Sequence, residues 1–160
     1  MKHLIALIAL CLTAHPAFAL SCIPADPRAD FQAADASPEK YIVVHGKISF
    51  DDKDVPQRDP NDFAPKDHVV TAQFQGQSLN QRGFVTPFSA PFKLTFACLA
   101  SWCGGLPNNR TVLAFLRQTA AGYDLAVGPC GGQAYVDPSP KMLRQMQRCL
   151  NGGACKPPRF

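Results

Sequence analysis

Six cysteines stand behind an export signal in this chain, and they limit its possible folds more than any other feature. Lys2 and His3 give a short basic start, and residues 4–12 form an apolar run too short to span a bilayer. Ala17-Phe18-Ala19 is the small-x-small pattern that a signal peptidase accepts. A cut after Ala19 makes residues 1–19 a signal peptide and Leu20 the first mature residue. Two other frames compete. Ala19-Leu20-Ser21 can serve as the cleavage motif, which frees Cys22, or a lipoprotein box can end in Cys22, with Ala19 where leucine is preferred. Cys11 leaves with the signal, and Cys22, Cys98, Cys103, Cys130, Cys149 and Cys155 remain. An even number in an exported chain points to disulfides but leaves the pairing open. Zinc is the rival use of cysteine. The spacings Cys98-x4-Cys103 and Cys149-x5-Cys155, with no histidine nearby, lack the paired pattern of such sites. No metal and no other cofactor is expected.

The mature chain has about 140 residues, enough for one domain around one core. Its formal charge of +4 falls by one when Lys2 is removed. That balance is too mild to imply a nucleic-acid partner.

Hydrophobic periodicity then gives mostly strands. Pro24, Asp26 and Pro27 predict an extended segment without helix potential, with Phe31 plugging into the core and residues 36–40 forming a polar turn. Residues 41–50 alternate: Ile42, Val44, Gly46, Ile48 and Phe50 share one face, while His45, Lys47 and Ser49 point outward. Gly46 in mid-strand predicts a bulge or sharp bend. Residues 51–67 form a polar loop with six aspartates. Clustered carboxylates suit calcium, but the spacing matches no EF-hand and Lys53, Arg58 and Lys66 neutralise part of the charge, so a solvated loop is expected. Residues 68–76 alternate again, with Val70, Ala72 and Phe74 inward, and residues 77–87 look like a connection or ragged edge. Phe92, Leu94, Phe96 and Cys98 share a face after Pro91. Residues 111–118 and 123–128 predict a closing hairpin. Ser139 as N-cap and Pro140 at the first helical position open a helix, whose Met142, Met146, Cys149 and Leu150 face the core. Asn151-Gly152-Gly153 ends it, and residues 156–160 are a tail. The expected architecture is therefore mainly β with a C-terminal α-helix, a disulfide-stapled five-stranded Greek-key barrel of the OB type.

The order of these features resembles a known family. Leu20-Ser21-Cys22-Ile23-Pro24-Ala25-Asp26-Pro27, then Phe31, then a strand ending in Gly46-Lys47, is similar to the N-terminal signature of netrin-like domains, which include the tissue inhibitors of metalloproteinases. Trp102-Cys103-Gly104-Gly105 resembles the family's Cys-Gly step. Residues 111–116 and 123–127 with Cys130 resemble its last hairpin and following cysteine, and residues 139–150 its helix. The resemblance covers residues 20–155 in pattern rather than in long identities. It implies an OB-type domain with binding or inhibitory roles. It also implies a pairing: Cys22 with Cys130, Cys103 with Cys98 for want of the family's first cysteine, and Cys149 with the remaining Cys155. In the inhibitors the first mature residue is a cysteine whose amine and carbonyl chelate a protease zinc, and here Leu20 stands in its place.

The residues offer little catalytic chemistry. His45 and His68 are the mature histidines, one on an outward strand position and one at a strand start, and both are expected at the surface. No G-x-S-x-G element and no C-x-x-C is present. The outward Thr71, Gln73, Gln75, Lys93 and Thr95 lack the stacked aromatics of a nucleic-acid platform. Lys141, Arg144 and Arg148, joined by Lys156 and Arg159, form a stripe that suits an anionic partner, although the helix dipole accounts for Arg148 and partly for Arg144. Asn109-Arg110-Thr111 is a glycosylation sequon, usable in a eukaryotic source. Trp102, the sole tryptophan, is either a binding anchor or a lid on the barrel end. The expectation is a secreted or periplasmic, non-enzymatic binding domain. Its contact residues are Leu20, Ser21, Cys22, Ile23, Pro24, Ser101 and Trp102. Its partner is a protein, with a zinc metalloprotease held through the N-terminal amine as one alternative. A membrane is a partner only if Cys22 is lipidated.

Overall fold

The structure is a computed structural model and describes residues 21–55, 59 and 61–157. The signal-peptide reading and Leu20 lie outside the described residues, as does Arg159. In chain order the elements are α1 (Pro27–Ala36), β1 (Tyr41–Ser49), a short 3-10 turn (Asp52–Asp54), β2 (His68–Asn80), β3 (Gly83–Phe96), β4 (Cys98–Leu99), β5 (Trp102–Cys103), β6 (Arg110–Thr119), β7 (Gly122–Val127), β8 (Ala134–Val136) and α2 (Pro140–Leu150).

Five strands close a ring in the order β1, β2, β3, β7, β6 and back to β1. Every ladder is antiparallel except β3 with β7, which run parallel from Lys93↔Asp124 to Phe96↔Val127. β8 pairs with β6 from Val112 to Ala114, on the edge that β7 leaves free. Inside the ring lie Val44, Ile48, Phe74, Leu94, Ala114 and Leu125 among others, each at most 1% exposed.

β6 is buried on both faces, which is why its sequence shows no alternation. Val112, Ala114 and Leu116 point into the ring, whereas Leu113 and Phe115 point outward under α2. There they meet Met146 and Cys149 in a second core that also takes Phe31, Tyr41 and Val43. Burying Met146 and Phe115 in this layer contributes about 1.5–3 kcal/mol each.

The first helix corrects the extended segment expected before β1. Asp26 caps it by accepting from the Arg28 backbone N–H at 2.8 Å, and Pro27 opens it. This is the same cap-then-proline pair that opens α2 at Ser139 and Pro140. The Arg28 side chain closes back on Asp26 and holds its carboxyl below the usual range.

Residues 77–87 are also corrected. They are paired strand, not a connection, and the hairpin turns only at Gln81-Arg82, before Gly83 at φ +107°. Their apolar signal is weak because the buried positions of this stretch are Ser78 and Gly83, while β3 has a strand on its second side only from Lys93 onward. Pro87 and Pro91 lie on that open stretch, where a missing donor costs little. Of the bulge or sharp bend expected at Gly46, the bulge is absent. The β1–β2 register runs unbroken through it, and the irregularity sits at Ser78/Leu79. Leu150, expected on the buried face of α2, is 41% exposed at the helix end.

Three disulfides join Cys22 to Cys130, Cys98 to Cys103 and Cys149 to Cys155, the pairs that the family resemblance implies. Among the described residues no helix is long and apolar enough to cross a membrane. Disulfide use is compatible with an extracellular or periplasmic protein.

Candidate functional site

β7 ends at Val127, and the chain then turns through a Gly128↔Gly131 bridge that carries Cys130. Two of the expected contact segments are tied to this short stretch. From one side, Cys22 bonds Cys130 and brings in the exposed residues Ser21, Cys22, Ile23 and Pro24. From the other, the β4–β5 hairpin docks by its base. Ala97 N–H donates to Val127 O at 2.9 Å, and Gly104 N–H donates to Ala97 O at 2.8 Å. Gly104 must be glycine here, since a Cβ would stand 1.9 Å from Val127 O.

The hairpin is small and heavily constrained. Cys98 pairs with Cys103 both in register and covalently, and Leu99 pairs with Trp102. Ala100 adopts a left-handed φ of 49° in the turn, next to Ser101. Cys98 N–H donates to Asp67 Oδ1 at 2.8 Å, which fixes the hairpin to the loop before β2. Its tip presents apolar surface: Leu99 is 59% exposed and Trp102 45%, while Ile23 on the other segment is 76% exposed. Ser101 is half-buried and lines a cleft.

The N-terminal segment is held by more than its disulfide. Asp30 Oδ2 on α1 accepts from Gln133 N–H at 2.6 Å and from the Tyr135 hydroxyl at 2.5 Å. α1 is thereby locked to the stretch that leaves Cys130. Burial, and then the bond to Asp30, push the Tyr135 phenol well above the usual tyrosine range. A raised folded value means that this contribution is complete below the unfolded tyrosine pKa near ~10 and is lost as pH rises above it. Tyr135→Phe is therefore expected to cost about 1 kcal/mol at neutral pH and to flatten the loss of stability above pH ~10. Urea unfolding at neutral and alkaline pH checks both. A variant as alkali-sensitive as the parent would show that another group sets that limb.

Cys22 Sγ is committed to Cys130, and a lipoprotein thioether would need that same sulfur. Lipid attachment at Cys22 and this disulfide exclude one another.

Sequence reasoning missed a cleft of about 660 Å³ between the residue 51–67 loop and residues 98–108. Phe50, Phe96 and Leu106 give it apolar walls, and Asp52, Asp59, Asp62 and Lys66 line it too. His68 borders it, with Nε2 donating to the Asp54 carbonyl. The described residues of the loop are mostly exposed, as expected of a solvated loop, and several of them also line this cleft. Among the described residues no group of three or more His, Cys, Asp or Glu side chains is placed to hold a metal ion.

His45 departs from the surface position expected of it. It is half-buried, edge-on to Phe84 with ring centroids 5.6 Å apart, and burial lowers its pKa. Thr71, Gln73, Gln75 and Lys93 are exposed as expected, and so are Lys141, Arg144, Arg148 and Lys156. No family model, no curated protein and no solved structure matches the chain.

Proposed function

We propose that this chain is an exported, non-enzymatic binding domain of the netrin-like, OB type, which takes a protein partner on the edge formed by Ile23, Leu99 and Trp102. The observation that carries the reading is the exposure of these three apolar side chains on segments that covalent links hold still. Ile23 follows a disulfide-bonded residue, and Leu99 and Trp102 sit inside a disulfide-closed turn. Anchors immobilised before binding lose little entropy when a partner arrives, and aromatic anchors dominate interface energetics. The OB assignment draws on the strand order of the ring, with its single parallel pair between the third and last of the five strands.

The partner is best sought with a photo-crosslinking amino acid at Leu99, in the cells that export the protein. A discrete adduct is expected there, absent when the same group replaces Gln73 on the outer face of β2. Trp102→Ala and Ile23→Asp are each expected to weaken partner binding at least ~10-fold. Equal adducts from Leu99 and Gln73 would count against the edge.

The fixed position of Cys22 supports one second reading. Were processing to begin at Cys22, its amine would be stapled beside exposed Ile23 and able to chelate a protease zinc. Mass spectrometry of the mature N-terminus and a panel of zinc metalloproteases test this. A start at Leu20 with no inhibition at micromolar concentration removes it.

A further inference from the structure

The turn between β2 and β3 carries Arg82 at its tip, and α2 holds that tip in place. Gln147 Nε2 and Asn151 Nδ2 both donate to the Gln81 carbonyl, at 3.1 and 3.0 Å. Arg82 N–H also donates to Asn80 Oδ1 at 2.7 Å, which fixes the turn internally. Leu143 and Arg144 precede Gln147 by one helical turn and share its face. His45 on β1 looks toward this same layer. These elements enclose a shallow pocket of about 330 Å³ that includes His45, Gln77, Arg82, Arg144 and Gln147 in its lining.

The charges in that lining have one sign. Arg82 comes from the turn, Arg144 from α2 and the titratable His45 from β1, and no carboxylate lines the pocket. Among the described residues, neither arginine takes part in an ion pair. Two guanidinium groups kept at one concavity repel each other until an anion lies between them. Their planar forks match the oxygens of a tetrahedral anion bidentately, which an ammonium group does not. Neutral His45 becomes a second-nitrogen donor when an anion draws a proton onto it.

We propose that this pocket binds a phosphate or sulfate monoester group, with Arg82 and Arg144 as its two cationic arms and His45 as a third donor. The site is built from different elements than the Ile23–Trp102 edge and does not rest on the binding role proposed for it.

NMR on the full disulfide-bonded protein tests this. Glycerol 3-phosphate is titrated at constant ionic strength and mildly acidic pH. Saturable shifts are expected at the His45 ring and the Gly83 amide, with a dissociation constant of about 1–10 mM. The pKa of His45 is expected to rise in the bound state, because a neighbouring anion favours the imidazolium. Arg82→Gln and Arg144→Gln should each weaken binding at least ~5-fold, while Arg148→Gln, outside the pocket, should leave it unchanged. Vesicles containing phosphatidic acid form a second arm. Co-sedimentation that the two variants lose identifies a lipid headgroup as the source, and a response to the soluble ester alone identifies a soluble one. Replacing both arginines by lysine keeps the charge and should retain measurable binding, which separates loss of the site from loss of the fold. Shifts that never saturate and no vesicle binding, or binding that survives in the Arg82→Gln/Arg144→Gln double variant, overturn the proposal.

Discussion

Replacing Cys22 and Cys130 together by alanine is expected to lower stability by about 4–5 kcal/mol while leaving the native fold in place. The bridge spans a sequence separation of 108, far more than the separations of 5 and 6 closed by the other two disulfides. Loop-closure entropy grows with the logarithm of the loop, so each short bridge should contribute only about 2 kcal/mol on the same estimate. The native structure survives because Asp30 still joins α1 to Gln133 and Tyr135, and Phe31 still packs in the outer core. Urea unfolding should show a midpoint lowered by about 2–3 M with an unchanged spectrum of the folded state. The loss should also reach function, because Ile23 is then tethered only from its C-terminal side. A decrease below ~1 kcal/mol would mean that the α1 contacts, not the covalent link, hold the N-terminal segment, and the proposed edge would lose its rigid half.

The parts of the fold legible in the sequence are those where one local rule sufficed. β1 shows clean alternation because one face meets the ring interior, and α2 announces itself through Ser139 and Pro140. The Asp26-Pro27 pair carried the same signal but was outweighed by the neighbouring Pro24, although a proline ahead of a cap does not oppose the helix that follows. The strand residues from 77 to 87 stayed hidden because periodicity reports apolar burial, and the buried positions here are Ser78 and Gly83. β6 hid its two-sided burial for the opposite reason: no polar residue interrupts Val112 through Leu116. The Leu99–Trp102 tip was half legible, since closely spaced cysteines flag a constrained turn but say nothing of which side chains project. The cleft against the residue 51–67 loop and the Arg82–Arg144 pocket were illegible. Each joins residues distant in the chain, and only the closed ring brings them together.

That closure has its tightest point at Gly46 and Gly76, where a single methyl group is expected to be costly. The two glycines are register partners across β1 and β2. A Cβ on Gly46 would stand 2.4 Å from Gln75 O and 2.5 Å from Gly76 Cα, and one on Gly76 would stand 2.3 Å from His45 O and 2.5 Å from Gly46 Cα. All of these are backbone atoms, so no side chain can swing aside. β1 cannot retreat either, because Gly46 is also paired with Val112 of β6 on its other edge. Gly46→Ala and Gly76→Ala should therefore each destabilise by at least about 3 kcal/mol, at the upper end of the usual cost of overpacking. Gly105→Ala, with nothing within 4 Å of the added carbon, should stay within ~0.5 kcal/mol. Gly122→Ala separates strain from crowding: its φ of +124° is unfavourable but the space is open, so a cost of about 1–2 kcal/mol is expected. Urea midpoints should be highest for Gly105→Ala, lower for Gly122→Ala and lowest for Gly46→Ala and Gly76→Ala. Parity of Gly46→Ala with Gly105→Ala would show that β1 and β2 are not pressed together there, and that the ring closes more loosely than the β1–β6 seam implies.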